Sequence, residues 1–445
     1  MEGLDLKLKN NISKFLVRGG KPLNGTVRLS GAKNSASKLF VASLLTDEPI
    51  YISNCPCRTI EMIVTREICE SLGTKFEKFS SDEVELTTKS IKHTSFSENL
   101  GLVNRIGILT VGPLLNRTGE AKIPKLGGDK IGKRPIDFHL NALEKLGAEV
   151  KEYDKFYELK AKSLQGANIT LPYPSVGATE NIIIAAALAE GTTYLNNAAV
   201  EPEVIDMILF LQKMGAVIDV LTDRRIVIKG VEKLRSAHHR VLPDRLEAAS
   251  LACAAIASKG SILIEGARQI DMISFLNSIR LIGADYEIID GGIKFCYKDN
   301  LKPLIVETNV HPGFMTDWQP PFLILLTQAK GVSIIHETVY ENRFGYITEL
   351  KKMGADIELY NICLGGSVCR FANTNYSHSA VVKGPSKLKA SEITVPDIRA
   401  GFSYLVAAIL AHGESIVNGA HYIDRGYENI DEKLRSLGVD ISRIE

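Results

Sequence analysis

The chain writes one short phrase six times: an apolar residue, a glycine, a small residue and then a strand-like tail. The copies are Leu72-Gly73-Thr74, Leu146-Gly147-Ala148, Met214-Gly215-Ala216, Ile282-Gly283-Ala284, Met353-Gly354-Ala355 and Leu437-Gly438-Val439. Their glycines stand 74, 68, 68, 71 and 84 residues apart, so the copies tile nearly all of the 445 residues. Repetition in sequence means repetition of a supersecondary unit, and that constraint outranks local propensity. The spacing predicts six copies of one α/β unit. A period of about 70 residues is too long for a solenoid of helix pairs. It suits a pseudo-symmetric assembly of two domains with three units each, both within the usual size of one core.

Each copy has a common anatomy. A run of small and apolar residues comes first, as at 181–189 and 401–411, and reads as a buried helix. Gly191, Gly260, Gly331 and Gly413 follow such runs and are expected to stop the helix. A β-rich stretch is next, as at 192–195 and 261–264. An amphipathic helix such as 204–214 succeeds it, with apolar positions at helical spacing. The repeated phrase closes that helix and opens a second strand, as at 356–359.

Composition excludes several classes. The formal net charge is +1, so no global field draws the chain to nucleic acid or to an anionic membrane. No uninterrupted apolar run approaches the roughly 20 residues that span a bilayer. Residues 1–13 mix both charges without an apolar signal core and read as a short N-terminal extension. Seven cysteines are scattered, an odd number that suits a reducing cytoplasm. Cys55 and Cys57 are too close for a relaxed disulfide and lack a second pair at metal-ligand spacing. Cys253 lies in an apolar helix and reads as packing.

Polar residues recur where the buried helices begin: Ser30-Gly31-Ala32-Lys33-Asn34, Asn104-Arg105, Ser175-Val176-Gly177-Ala178-Thr179, Asp244-Arg245, Thr316-Asp317 and Asp397-Ile398-Arg399. Capping accounts for Asp244 and Asp397. It does not account for Lys33, Arg105 and Arg399, because a cation is repelled by the positive end of the helix dipole. Cations belong there if an anion shares the site with them and with the free N–H groups. An acidic, phosphorylated ligand follows. The segment 125–135 adds four cations, three glycines and one carboxylate, and reads either as a solvated basic turn or as a lid closing on an anion. Glu341-Asn342-Arg343-Phe344 and the run 421–428 are polar insertions at matching points of their repeats.

In combination these motifs resemble the UDP-N-acetylglucosamine 1-carboxyvinyltransferases, enolpyruvyl transferases of peptidoglycan precursor synthesis. The resemblance runs from about Phe15 to Arg443. It is carried by Ser-Gly-Ala-Lys-Asn at 30–34, Gly-Gly-Asp-Lys-Ile-Gly-Lys-Arg-Pro at 127–135, Ser-Val-Gly-Ala-Thr at 175–179, Leu-Pro-Asp-Arg at 242–245, Thr-Asp-Trp-Gln at 316–319, Glu-Asn-Arg-Phe at 341–344 and Asp-Arg-Gly-Tyr-Glu at 424–428. It implies an α/β fold of two inside-out barrel domains, each of three pseudo-repeats, with helix N-termini lining an interdomain cleft. The implied reaction moves the enolpyruvyl group of phosphoenolpyruvate to the 3-hydroxyl of UDP-N-acetylglucosamine and releases phosphate, with no metal or cofactor. By motif position, Asp317 is the implied base. Lys33, Arg134 and Arg425 match phosphate-contacting positions, and Arg105 and Arg399 the remaining cations around phosphoenolpyruvate. Asn34, Asp137, Ser175, Val176, Gly177, Val339 and Tyr340 match the UDP-sugar site, with Arg134-Pro135 flanking the uracil.

Three departures qualify the resemblance. Asp129 stands in the lid where many members carry Cys, and a carboxylate cannot form the thioether through which fosfomycin inactivates them, so resistance to the drug is expected. Asp129 acts as general acid only if desolvation raises its pKa against Lys130, Lys133 and Arg134. Tyr173 replaces a familiar basic residue, and 311–322 carries Trp318 and Pro320-Pro321. These leave two other readings open: enolpyruvyl transfer to another nucleotide or nucleotide sugar, and a binding scaffold without activity. The shikimate-pathway enzyme shares the implied fold, but its glycine-rich phosphate segments are not found here. Residues 14–32 with 243–445 are expected to form one domain and 33–242, with the lid, the other. Oligomeric state stays open.

Overall fold

The six repeat phrases close six helices by one device. Backbone φ is 120° at Gly73, 95° at Gly147, 104° at Gly215, 84° at Gly283, 95° at Gly354 and 90° at Gly438. In every copy the glycine N–H donates to the carbonyl three residues back, and the next N–H donates to the carbonyl five back. For Gly438 and Val439 the acceptors are Arg435 and Leu434, both at 3.0 Å. This double closure satisfies the last carbonyls of a helix and demands a left-handed residue, which only glycine adopts cheaply.

The computed structural model describes residues 13–127, 135–366, 369–396 and 398–445. They divide into two compact units: one holds the chain through Ser30 together with Pro243–Glu445, the other the described residues from Gly31 to Leu242. Each unit carries three sheets of three antiparallel strands plus, in five of the six, one parallel strand. In the sheet built on Thr192–Asn196, Asn168–Thr170 pairs with it in parallel, while Arg225–Lys229 pairs antiparallel with it and with Val217–Leu221. The pattern recurs around Ile50–Ser53, Ser261–Glu265, Gly331–His336 and Gly413–Asn418. Around Glu120–Pro124 the parallel strand shrinks to a single bridge, Ser95 to Lys122. The sheets are separate rather than one closed barrel, with the most apolar helices inside them.

Chain order is permuted to complete the repeats. The strand Lys14–Gly19 pairs antiparallel with both Gly413–Asn418 and Asp440–Ile444, so the N-terminus supplies a strand to the last copy. Asn24–Arg28 gives the fourth copy its parallel strand, and Ala237–Arg240 does so for the first.

Every residue of the helices Arg245–Ala257 and Gln319–Leu326 is buried. Their sequences are apolar almost all round, which is the pattern of a helix with no solvent face. The outer helices are amphipathic, as in Pro202–Lys213, where Lys213 ends the helix at its negative pole.

The buried runs begin and end a few residues earlier than expected, at Val176–Ala186 and Ile398–Leu410. The glycines expected to stop them act elsewhere. Gly331 and Gly413 are the first residues of strands, each with positive φ. After Arg245–Ala257 the left-handed residue is Lys259, at φ 64°, and not Gly260. Gly260 is required instead by close approach, since a Cβ there would lie 1.9 Å from the Leu23 carbonyl oxygen.

These two uses of glycine separate experimentally. A Cβ at Gly438 meets nothing within 4 Å, so Gly438→Ala costs only left-handed strain, about 1–2 kcal/mol. Gly260→Ala must push backbone apart and should lower the urea midpoint further. Equal midpoints for the two variants would contradict the close approach.

Candidate functional site

In the unit that spans Gly31 to Leu242, three core helices start with the polar residues singled out above. Lys33 is the first residue of Lys33–Ala42 and is buried; Asn34 follows it. Ser175 caps Val176–Ala186 by accepting the Ala178 N–H. Arg105 precedes the short helix Ile106–Thr110 and donates from Nη2 to the Pro135 carbonyl at 3.5 Å. Asp137 opens the helix Asp137–Lys145, on which the buried His139 follows. A Cβ at Gly177 would lie 3.3 Å from the His139 ring, so glycine lets these two helices meet. His139 Nδ1 is 3.2 Å from Asn181 Nδ2. Burial, with the Arg105 charge adding to it, pushes the His139 pKa down to about 3, so the ring is neutral at physiological pH.

Behind these helix starts lies a buried carboxylate cluster that sequence reasoning missed. Glu180 is fully buried, and neither of its carboxylate oxygens has a hydrogen-bond partner. Lys38, from the Lys33–Ala42 helix, is 3.7 Å away, beyond a hydrogen bond but close enough for an ion pair. Burial pushes the Glu180 carboxyl up to about 7; Lys38 opposes this, and Glu203 and Glu201 reinforce it. Nothing in the sequence distinguished Glu180 from a solvated residue, because its partners come from other helices.

The second constellation lies in the other unit. Asp317 sits on the one-turn helix Thr316–Trp318, which leads into Gln319–Leu326. Arg343 Nη2 donates to Asp317 Oδ1 at 3.1 Å and to the Thr316 carbonyl at 3.3 Å. The Arg343 side chain is 1 % exposed and that of Asp317 8 %, so the pair is dry and held in one geometry. Beside it Glu337, fully buried, accepts from Thr316 Oγ1 at 2.9 Å and from the N–H groups of Val339 and Tyr340 at 2.8 and 3.1 Å. Burial pushes the Glu337 carboxyl upward, against Arg343 and these three bonds. Arg343 was legible as part of Glu-Asn-Arg-Phe but had no assigned partner. Glu337 had no sequence signal.

The remaining expected residues are placed as follows. Arg425 follows the helix Ala420–Asp424, its N–H bonded to the His421 carbonyl. Arg399 is the second residue of Ile398–Leu410, and its side chain is outside the described set. Asp129 and Arg134 lie outside the described residues, as does Asp397. Asp244 caps Arg245–Ala257 by accepting from Leu246 and Glu247, so the capping reading holds there. At the described start of the 125–135 segment, Lys125 pairs with Glu152 and lies 3.8 Å from the Tyr157 ring centroid. Gly127 abuts the Leu102 carbonyl, 1.8 Å from where its Cβ would stand. The rest of the segment expected to act as a lid, from Gly128 to Arg134, lies outside the described residues.

The family described as EPSP synthase (3-phosphoshikimate 1-carboxyvinyltransferase) matches residues 17–434. Among curated relatives, the UDP-N-acetylglucosamine 1-carboxyvinyltransferase of Protochlamydia amoebophila is 47% identical over 437 residues, covering 96% of this chain and 94% of its own. The protein of the same name from Chlamydia abortus is also 47% identical, over 96% and 97% of the two chains. The chain belongs to the enolpyruvyl transferase family. Two solved structures share the family fold. The enolpyruvyl transferase NikO from Streptomyces tendae has a TM-score of 0.85 at 23% identity, covering 97% of this chain and 98% of its own. EPSP synthase from Acinetobacter baumannii has a TM-score of 0.73 at 16% identity, covering 97% and 100%.

Within this enolpyruvyl transferase scaffold, the unusual stretch beside Asp317 has a packing explanation. Trp318 is buried among Phe275 and Phe314, with the Arg245 guanidinium 5.4 Å from its ring centroid. Pro320 and Pro321 occupy the first turn of Gln319–Leu326, where a missing N–H costs nothing. Trp318, Pro320 and Pro321 are thus core and first-turn residues.

The Glu180 shift has a signed consequence. Its folded pKa, about 7, lies above the ordinary 4.5, so the folded state holds a proton that the unfolded chain releases. That stability is complete below pH 4.5 and is lost as pH rises through 7. Glu180→Gln removes the titration. Its stability relative to the parent should rise by up to about 3 kcal/mol across that window, at about 1.4 kcal/mol per pKa unit. Urea unfolding at a series of pH values measures it, and a difference independent of pH would refute the shift.

Proposed function

We propose that this protein transfers the enolpyruvyl group of phosphoenolpyruvate to the 3-hydroxyl of UDP-N-acetylglucosamine, releasing phosphate, as the first committed step of peptidoglycan precursor synthesis in the cytoplasm. The observation that carries this reading is near-full-length identity of 47% to relatives named for that reaction. The likeness to EPSP synthase is one of fold, at 16% identity, and gives no support to shikimate as acceptor.

The chemistry is an addition followed by an elimination. The 3-hydroxyl oxygen bonds to C2 of phosphoenolpyruvate as its proton leaves and C3 gains a proton. The C2–O bond to phosphate then breaks as C3 gives a proton back, leaving the enolpyruvyl ether. Asp317 is the proposed base for the hydroxyl, with Arg343 as the positioning residue that fixes its carboxylate. Lys33, Arg105, Arg134, Arg399 and Arg425 are proposed to hold the phosphate and carboxylate of phosphoenolpyruvate, where guanidinium forks suit both groups. Asn34, Pro135, Asp137, Ser175, Val176, Gly177, Val339 and Tyr340 are proposed for the UDP-sugar. The amides of Val339 and Tyr340 already serve Glu337, so their contribution to the ligand would come from other atoms. Asp129 is the proposed general acid.

Phosphate release with phosphoenolpyruvate and UDP-N-acetylglucosamine tests the reading, set against UDP-N-acetylgalactosamine, UMP and shikimate 3-phosphate. Release should require UDP-N-acetylglucosamine and should fall about 10²- to 10⁴-fold in Asp317→Ala. Release with another acceptor would keep the chemistry and overturn the substrate. A second outcome follows from Asp129: fosfomycin should cause no time-dependent inactivation of the parent, whereas Asp129→Cys should acquire it. Inactivation of the parent by stoichiometric drug would contradict the thioether argument.

A further inference from the structure

The fifth repeat carries an insertion between the strands Asp356–Tyr360 and Ser379–Gly384, and this insertion brings two thiols to two imidazoles. His336, fully buried, ends the strand Gly331–His336. Its ligand-capable nitrogen and the sulfurs of Cys363 and Cys369 all lie within 4.8 Å of one another. His378 Nε2 is 3.4 Å from Cys363 Sγ, and the two imidazole centroids are 5.3 Å apart. Around a tetrahedral zinc ion, with bonds of about 2.3 Å to sulfur and 2.0–2.1 Å to nitrogen, neighbouring S and N ligands stand about 3.5 Å apart.

Hydrogen bonds decide which nitrogens face the sulfurs. The Ser379 hydroxyl has one proton, which it donates to the Ile362 carbonyl at 2.7 Å. It accepts from the Leu364 N–H at 3.2 Å. Toward His336 Nδ1, 2.9 Å away, it therefore accepts as well, and Nδ1 carries the ring proton. His336 Nε2 is left as a buried lone pair with no hydrogen-bond partner. The second imidazole is oriented alike: His378 Nδ1 lies 2.7 Å from the Tyr376 carbonyl, which can only accept. Its bare Nε2 is the atom that faces Cys363. The Phe371 N–H points at Cys369 Sγ, 3.3 Å away, as donors do around a bound thiolate. Histidines whose Nδ1–H is engaged by an oxygen and whose Nε2 is bare are arranged as metal ligands are.

We propose that His336, Cys363 and Cys369 form a Cys2His site for one divalent zinc-class ion, with His378, whose Nε2 is 3.4 Å from Cys363 Sγ, beside it as the candidate fourth ligand. A donor set of two sulfurs and an imidazole nitrogen within 4.8 Å of one another selects that class over magnesium or calcium. Each thiol forms one sulfur–metal bond and releases one proton, two per ion, with no change of oxidation state. The ion would clip the insertion to the end of the Gly331–His336 strand. The next residue is Glu337, whose N–H donates to the His378 carbonyl at 2.7 Å, so the clip also braces the backbone beside Asp317 and Arg343. Sequence reading passed over the site because Cys363 and Cys369 have no second pair at metal spacing nearby. Both imidazoles come from separate strand ends.

The test is a cobalt(II) titration of the full chain, reduced and stripped with chelator under argon. Thiolate-to-cobalt charge-transfer bands and intense tetrahedral d–d bands should saturate at one equivalent, with about two protons released per ion. One equivalent of zinc(II) should bleach them. The double variant Cys363→Ser/Cys369→Ser alters the insertion alone and should lose the charge-transfer bands and at least about 100-fold in affinity, the upper end of what losing an outer-shell partner costs. Cys57→Ser should titrate like the parent. Absence of the bands in reduced parent protein, or their survival in the double variant, would overturn the proposal. So would a Cys363–Cys369 disulfide in fresh protein that takes up no cobalt after reduction.

Discussion

Helices Arg245–Ala257 and Gln319–Leu326 have no exposed face, and a helix placed so can offer chemistry only at its ends. Its N-terminus carries free N–H groups and the positive end of the dipole, so it is where an anion is stabilised and where polar side chains can be tolerated. Six copies of one unit repeat this arrangement, and Lys33, Arg105, Ser175, Asp244 and Asp317 all stand at or beside such starts. The rest of the architecture serves it. Separate twisted sheets cover the apolar helices, and amphipathic helices closed by left-handed glycines return the chain to the next strand.

The two constellations of polar residues solve the cost of burial differently. Asp317 and Arg343 pair charge with charge inside a dry site, and the guanidinium also takes the Thr316 carbonyl. Glu337 instead collects three donors around a carboxyl that burial pushes upward. Glu180 has neither kind of full compensation, since its oxygens lack hydrogen bonds and Lys38 is 3.7 Å distant. Its affinity for a proton is the direct result. The fold thus holds one buried carboxylate in a hydrogen-bonded ion pair and another whose proton affinity burial raises until it titrates at about 7.

Copies of the unit diverge where they are free to do so. One sheet reduces its parallel strand to the Ser95–Lys122 bridge, and the fifth copy inserts the residues that carry Cys363 and Cys369. The first thins the edge of a sheet, and the second lengthens the connection between two strands. A substitution inside the buried helices would have to satisfy close packing on every side. That is also why Trp318 and Pro320-Pro321, odd by family standards, are absorbed as core and first-turn residues.

Repeat phrase, glycine period and polar helix starts were legible in the sequence because each is a local pattern. A left-handed closure needs glycine at one position, and a buried helix must be apolar nearly all round, whatever surrounds it. Those requirements determined the α/β units, their number and the identity of Lys33, Arg105, Ser175 and Asp317 as candidates. Local pattern failed at Gly260, where the reason for glycine is the Leu23 carbonyl, more than two hundred residues away in sequence. It failed equally for Arg343 and Asp317, for Glu180 and Lys38, and for His336 and Cys363. Only tertiary structure decides such pairs, because burial and partner are properties of neighbours that the chain brings together from distant positions.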